Sequence, residues 1–263
     1  MLKGWLDMDI FNDAMHQLTI SDDGSYTAYS KEYDEHYHST KDGALRESLL
    51  KHVIPAYNVT KNRDEVTILD ICYGLGFNTL ATINYYKKYA PDKKISIYSP
   101  ELDKSLIRSL LDFTYPKEFD DLRDIIQSLS KELQYHDENI SIELFLGDAR
   151  EYITQFENRF DIVYQDAFSP SANPMLWTKE YFADIKKAMR EDGVITTYST
   201  ALKTRLALFE SNFFIYLNQG EGYRNATIAT LMPLTQYEAV NMQHKISCNP
   251  NISALSDFDE IPS

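Results

Sequence analysis

The stretch Ile68-Leu-Asp-Ile-Cys-Tyr-Gly-Leu-Gly-Phe-Asn-Thr79 runs from an apolar strand-like segment through a glycine turn into an amphipathic helix start. This is the grammar of a nucleotide-binding α/β sheet. Glycines let the backbone turn sharply and approach a ligand, and the free amides at a helix start suit an electron-rich or anionic group. Gly74-x-Gly76 is short, however, and a tight strand-to-helix turn in any α/β protein uses the same residues. A dinucleotide site wants a third glycine at the helix start, where this chain has Asn78 and Thr79, so NAD is the poorer fit. An S-adenosyl-L-methionine site wants an acid closing the first strand, glycines in the loop and a second acid after the next strand. Asp70, Gly74, Gly76 and Glu101 stand in those places. A carboxylate accepts two hydrogen bonds from vicinal ribose hydroxyls, which makes Glu101 chemically apt, although a solvated loop acid reads the same way.

Working outward, short apolar runs alternate with helix-like segments from Asn62 onward. Strand-like Val66 to Ile71, Ile95 to Tyr98, Ile140 to Phe145, Phe160 to Tyr164 and Val194 to Tyr198 are separated by helical patterns. Nearly continuous apolar strands in that alternation predict a parallel sheet covered on both faces. Phe213 to Leu217 and Ala226 to Met232 read as an antiparallel pair at its edge. Tyr115 to Asn139 exceeds a minimal α/β unit and carries its own helical stripe, Phe119, Leu122, Ile125, Ile126 and Leu129, which reads as an inserted lid. Residues 1–62 read as an appendage packed on a core of residues 63–248. Within it, Gln17 to Ser21 and Ser25 to Tyr29 alternate about Asp22-Asp23-Gly24 as a hairpin, and Ala44 to Ile54 suits a helix that Pro55 stops. Residues 249–263 read as a loosely held tail.

The chain has 263 residues, 43% of them hydrophobic, with 9 Gly and 9 Pro, which excludes disordered and collagen-like chains. Its formal charge of −14 opposes binding nucleic acid through an overall basic surface, though not through a local patch. Cys72 and Cys248 are too few for a disulfide framework, and Met1 to Asp13 lacks the pattern of a signal peptide, so a cytoplasmic protein is expected. No run is long and apolar enough for a membrane span.

Further candidates lie at the other predicted strand ends. Leu146-Gly-Asp-Ala-Arg150 places Asp148 and Ala149 at the carboxyl edge, where an adenine amine suits the acid. Gln165-Asp-Ala-Phe-Ser-Pro-Ser-Ala-Asn-Pro-Met-Leu-Trp-Thr178 brings an acid and two rings to the same edge and reads as the substrate mouth. Trp177 reads equally as core. His36 and His38 project from one face of an extended segment, but no further ligand has metal spacing, and no metal is expected. Lys203, Arg205 and Arg224 offer a local phosphate-binding face, or simply solvated bases.

Taken together these residues resemble the methyltransferase half of the bifunctional tRNA wobble-uridine modification protein MnmC and its stand-alone homologues. The resemblance runs from about Asp22 to Leu231, through Asp23-Gly24-Ser25, Tyr29-Ser30, His36-Tyr-His-Ser39, Gly43-Ala-Leu45, Glu47, Asp70 to Asn78, Gly147 to Arg150 and Asp166 to Thr178. The last block is the most specific. The chain departs from the pattern at Cys72, where such a turn often has Gly, and at Ala172, where a basic residue is common. No second dinucleotide fingerprint follows, so the flavin-dependent oxidase half is not expected. The resemblance implies a Rossmann-like class I S-adenosyl-L-methionine-dependent methyltransferase, its mostly parallel sheet carrying an antiparallel edge strand, an N-terminal β-hairpin and a helical insertion. It implies Ser39, Glu47, Asp70, Gly74, Gly76, Asn78, Glu101, Asp148, Ala149 and Asp166 at the cofactor, and Phe168, Pro170, Asn173 and Trp177 at a tRNA wobble uridine. Ser39 and Glu47 would reach the methionine end, and Asp166 would handle the accepting amine. A separate enzyme would supply the aminomethyl group that this one methylates.

Overall fold

The computed structural model describes residues 15–259, so the N-terminal Met1 to Asp13 reading lies outside the described residues. The chain begins with β1 (His16–Ile20), β2 (Tyr26–Ser30) and β3 (Glu35–His36), then α1 (Ala44–Glu47), a π-helical segment (Ser48–Val53) and α2 (Ile54–Thr60). There follow β4 (Glu65–Ile71), α3 (Phe77–Tyr89), β5 (Lys94–Glu101), α4 (Lys104–Ser109), a 3-10 turn (Lys117–Leu122), α5 (Arg123–Glu132), β6 (Gln134–His136) and β7 (Ile140–Leu146). The remainder is α6 (Ala149–Ile153), β8 (Phe160–Gln165), α7 (Lys179–Ala188), β9 (Met189–Thr197), α8 (Leu202–Glu210), β10 (Phe214–Asn218), β11 (Ala226–Thr230), β12 (Glu238–Ala239) and α9 (Met242–Cys248).

Nine strands form one sheet in the order β12-β10-β11-β9-β8-β4-β5-β7-β6. The central neighbours β9-β8, β8-β4, β4-β5 and β5-β7 are parallel, while β11, β10 and β12 at one edge and β6 at the other are antiparallel. Both faces of the central strands are apolar, which is why their sequences read as near-continuous hydrophobic runs. The period of two divides them: Ile68, Ile162, Tyr164 and Val194 pack in the core beneath the π segment and α3, and Leu69, Ile71, Val163 and Ile195 in the core beneath α6, α7 and α8. The chain moves from β4 towards β5 on one side and returns through β8 on the other, so the strand order reverses beside β4. At such a point the loops splay apart and leave a crevice.

Three segments differ from their sequence expectations. Pro55 does not stop the helix: the run from Ala44 to Thr60 continues through a π turn, in which Ile54 N–H bonds back to Leu49 O, and Pro55 falls in the first turn of α2. A proline ring clashes with an α-helical carbonyl four residues back, and the widened turn displaces that carbonyl. The insertion is no lid. Phe119, Leu122, Ile125, Ile126 and Leu129 are all buried in the core, and this helical stripe packs against α3, α4 and β7 instead of covering a cavity. The tail, as far as it is described, is tied down: Arg150 Nη1 donates to Asp257 Oδ1 at 2.8 Å, and Thr178 Oγ1 donates to the same oxygen at 2.6 Å.

The hairpin forms where alternation places it, with His16↔Ser30 to Ile20↔Tyr26 in register, and β3 adds a third antiparallel strand to it. Gly24 turns it at φ 82°.

Candidate functional site: an acid-lined cleft at the strand tips

The loops after β4, β5, β7, β8 and β9 open onto one cleft of about 1110 Å³, roofed by residues 30–41 of the appendage. Small-ligand pockets span about 300–1,000 Å³, so this one has room for a cofactor and part of a second molecule.

The turn after β4 sets the floor. Gly76, at φ 76°, starts α3, and a Cβ there would stand 2.6 Å from the Tyr73 hydroxyl. Gly74, at φ 54°, donates its N–H to Glu101 Oε2 at 2.8 Å, and a Cβ there would press on the Tyr37 ring at 3.1 Å. Cys72 also has a left-handed backbone, φ 64°, a conformation that favours glycine. From behind, the insertion's Tyr115 hydroxyl donates to Leu75 O at 2.8 Å. Glu101 Oε1 accepts from Asp103 N–H at 2.9 Å, so this carboxylate is clamped between the glycine turn and the start of α4 while facing the cleft. Burial pushes its carboxyl up, partly offset by those amides. Asp148 caps α6, with Oδ1 accepting from the N–H groups of Arg150 and Glu151, which leaves Oδ2 for a ligand. Ala149 lies beside it in the cleft wall.

Asp70 and Asn78 lie behind this floor. Asp70 is buried and does not line the cleft: its Oδ2 accepts from Thr79 Oγ1 at 2.8 Å, and burial pushes its carboxyl up to about 7. Asn78 Nδ2 donates to Asp166 Oδ2 at 2.8 Å and lies 3.5 Å from Asp70 Oδ1, so the amide joins the two acids. Asp166 itself reaches the cleft with 11% of its side chain exposed. Burial would push its carboxyl up, but His52, His38 and Asn78 prevail and hold it below the usual carboxylate range. It is ionised at neutral pH.

The roof supplies rings and a polar clasp. Tyr33 stacks on Phe168 at 4.4 Å between centroids and Tyr37 meets Phe168 edge-on at 5.0 Å, all three lining the cleft. Ser169 N–H donates to Glu35 Oε2 at 2.8 Å and its hydroxyl to Glu35 Oε1, pinning β3 to the mouth loop. Glu47 lines the cleft, but both its oxygens are engaged: Oε2 accepts from Ser39 N–H at 2.6 Å, and Oε1 from Lys51 Nζ at 2.7 Å. Ser39 Oγ receives Arg224 Nη2 at 2.9 Å on the rim.

Of the mouth-loop candidates, Phe168 and Asn173 line the cleft and Pro170 does not. Trp177 is corrected from wall to core: it is 0% exposed, and its Nε1 donates to Phe168 O at 2.7 Å, so it holds the loop that presents Phe168. The basic trio does not form one face. Arg205 is buried with Nε on Thr227 Oγ1 at 3.0 Å, Lys203 is exposed on α8, and only Arg224 lines the cleft. His36 and His38 both line the cleft, His38 largely buried with its ring against Phe77, and no group of three or more His, Cys, Asp or Glu among the described residues is placed to hold a metal. Tyr33, Tyr37, Glu35 and His52 carry no local pattern that marks them, since each meets its partner across a large separation in sequence.

The donor set fits S-adenosyl-L-methionine. Glu101 suits ribose hydroxyls, Asp148 Oδ2 an exocyclic amine, and a floor rich in carboxylates suits a sulfonium and an ammonium. A family of S-adenosyl-L-methionine-dependent methyltransferases matches residues 119–233. An uncharacterized protein of Methanocaldococcus jannaschii is 32% identical over 93% of this chain and 68% of its own length. The tRNA 5-methylaminomethyl-2-thiouridine biosynthesis bifunctional protein MnmC of Leptospira interrogans is 27% identical over 74% of this chain, which spans only 32% of that longer protein. The crystal structure of MnmC2 from Aquifex aeolicus superposes with a TM-score of 0.81 at 30% identity, covering 94% of this chain and 80% of that one. Extending over 94% of the chain, this similarity makes it a member of the MnmC methyltransferase-domain family, with S-adenosyl-L-methionine as its cofactor.

Proposed function

We propose that the protein N-methylates the aminomethyl group on the wobble uridine of tRNA, 2-thiolated or not, converting 5-aminomethyl- to 5-methylaminomethyl-uridine. The bound cofactor supplies an electrophilic methyl group on a sulfonium. The chain's own residues have a smaller chemical task, to hold an amine in line and relieve it of a proton. An aminomethyl group is largely protonated near neutral pH, and a carboxylate that is itself ionised attracts it, orients it and accepts its proton. The observation that carries this reading is Asp166: ionised, 11% exposed, and set where the carboxylate floor meets the Phe168, Tyr33 and Tyr37 rings. Those rings offer faces and edges to an unstacked base, as single-stranded RNA recognition requires. Glu101, Gly74, Asp148 and Ala149 hold the cofactor, Ser39 and Glu47 bound its methionine end, and Asp70, Gly76 and Asn78 support the floor. Asn173 shapes the mouth for the uridine, and Pro170, outside the cleft lining, stiffens the loop that carries it.

The formal charge of −14 favours a rival acceptor, a small-molecule or protein amine. Arg224 and Lys41 on the cleft rim provide the local cations that a tRNA acceptor needs. Incubation with methyl-labelled cofactor, offered in parallel to aminomethyl-bearing tRNA, to amine metabolites and to a protein extract, separates the two. Label in the tRNA alone is expected; label in either other pool with none in tRNA refutes the tRNA reading, and cofactor binding with no transfer anywhere marks a non-catalytic module.

A further inference from the structure

Behind Asp166 stands a group that positioning of the amine leaves unused. His52, on the π-helical segment, is 0% exposed. Its Nδ1 lies 3.1 Å from Thr196 Oγ1 of β9, and its ring meets Tyr164 of β8 edge-on at 5.7 Å. Its Nε2 makes no hydrogen bond, yet lies 3.4 Å from Asp166 Oδ1. A buried polar atom without a hydrogen bond is costly, and an apolar side chain would fill this space without that cost. The period of two that puts Tyr164 and Thr196 on the same face of the sheet as Asp70 brings the imidazole there, where it faces the rear of the carboxylate that opens to the cleft.

The other ionisable groups around His52 are few and named. Asp166 and Asp70 approach from the tips of β8 and β4, and His38 from the segment after β3. On its own helix Lys51 is already neutralised, its Nζ donating to Asp42 Oδ2 at 2.8 Å and Glu47 Oε1 at 2.7 Å. Asp166 Oδ2 is committed to Asn78, so Oδ1 is the oxygen shared between imidazole and cleft.

We infer that His52 is a positioning residue that takes up, through Asp166, the proton that the substrate's ammonium sheds before methyl transfer. This rests on the reading of Asp166 as the group that meets the amine. When the imidazole is neutral, Nδ1–H donates to Thr196 Oγ1 and Nε2 presents its lone pair; once it has taken the proton, the imidazolium is the charge that holds Asp166 ionised. The ammonium N–H bond breaks, its electron pair stays on nitrogen, and an O–H bond forms on Asp166. That O–H bond then breaks as Nε2–H forms, which restores the carboxylate and leaves an imidazolium beside it. The freed lone pair makes the new N–C bond while the methyl's bond to sulfur breaks, its electrons remaining on sulfur. After product leaves, the proton returns through Asp166 to solvent in the cleft.

The test pairs His52→Gln, whose amide fills the space and bonds to Asp166 but takes no proton, with Thr196→Val, which removes the group that fixes the tautomer. For His52→Gln, kcat is expected to fall about 10²-fold with KM for tRNA and calorimetric cofactor affinity unchanged, and the wild-type pH–rate profile to lose one limb. Thr196→Val is expected to lower kcat by a smaller factor in the same direction. Wild-type kcat and pH profile in His52→Gln overturn the inference. A measurement on the unaltered protein covers failure of the variants to fold: 15N NMR of labelled histidine in the complex with S-adenosyl-L-homocysteine. Adding an aminomethyl-uridine anticodon stem–loop is expected to protonate His52 Nε2, and an unmoved resonance rejects the relay. If wild-type protein methylates no aminomethyl tRNA, the functional reading itself fails; if it does so and His52→Gln matches it, only the role of His52 fails.

Discussion

Glu101 and Asp166 on the floor of the cleft hang from the central parallel strands of the sheet, while Tyr33, Glu35 and Ser39 on its roof belong to a small three-stranded appendage. The floor is fixed by regular structure: parallel register aligns the strand tips, and backbone amides of Gly74 and Asp103 hold Glu101. The roof is fixed by separate polar ties, chiefly Glu35 on Ser169, Lys51 between Asp42 and Glu47, and Arg224 on Ser39. A rigid floor suits a cofactor that every turnover repeats. A roof held by few ties suits admission of a bulky base, because such contacts open locally at modest cost.

That contrast is open to experiment. At the floor, Asp166→Asn is expected to lower methyl transfer by about 10²–10⁴-fold while calorimetry shows cofactor affinity retained. Full transfer in that variant removes the acid from the chemistry. In the roof, Lys51→Met leaves Asp42 and Glu47 buried without their shared cation and is expected to cost about 3–5 kcal/mol of stability in urea unfolding. A loss near zero would show that the roof contributes little to the folded state. Gly74→Ala places a Cβ 3.1 Å from the Tyr37 ring on a left-handed backbone, so about 1–2 kcal/mol of strain is expected together with weaker cofactor binding. Glu35→Gln is the mildest: loosening the clasp on Ser169 is expected to cost about 1 kcal/mol and to raise KM for tRNA with cofactor affinity unchanged. The reverse pattern, weakened cofactor and unchanged tRNA, would erase the division between floor and roof.

The floor also has a pH signature of its own. Burial raises the Asp70 carboxyl from 3.8 to about 7, so between those values the folded chain holds a proton that the unfolded chain has released. Unfolding free energy is therefore expected to fall as pH rises through that window. Asp70→Asn should flatten this dependence in urea midpoints measured across it, and an unchanged slope would place the cost elsewhere.

The floor was largely legible in the sequence, because a strand followed by a glycine turn is a local pattern. Ile68 to Thr79 announces both the parallel sheet and the place of its crevice, and acids following apolar runs mark Glu101, Asp148 and Asp166 as strand-tip residues. The roof was legible only as a hairpin. Glu35 meets Ser169 across 134 residues, and His52 meets Thr196 across 144, so nothing near either residue marks its partner. Pro55 misled because a π turn, decided by packing against α3 and β9, has no sequence signature of its own. Trp177 read both as mouth and as core because its neighbours in sequence line the mouth, while its own ring turns inward to Phe182 and Tyr198.

The identity of the wobble nucleoside is the most direct test of all. Aminomethyl-bearing tRNA incubated with the protein and S-adenosyl-L-methionine, then digested and analysed by mass spectrometry, is expected to show the 5-aminomethyl nucleoside heavier by one methyl group. An unchanged nucleoside under conditions where the protein demonstrably holds its cofactor would refute tRNA amine methylation.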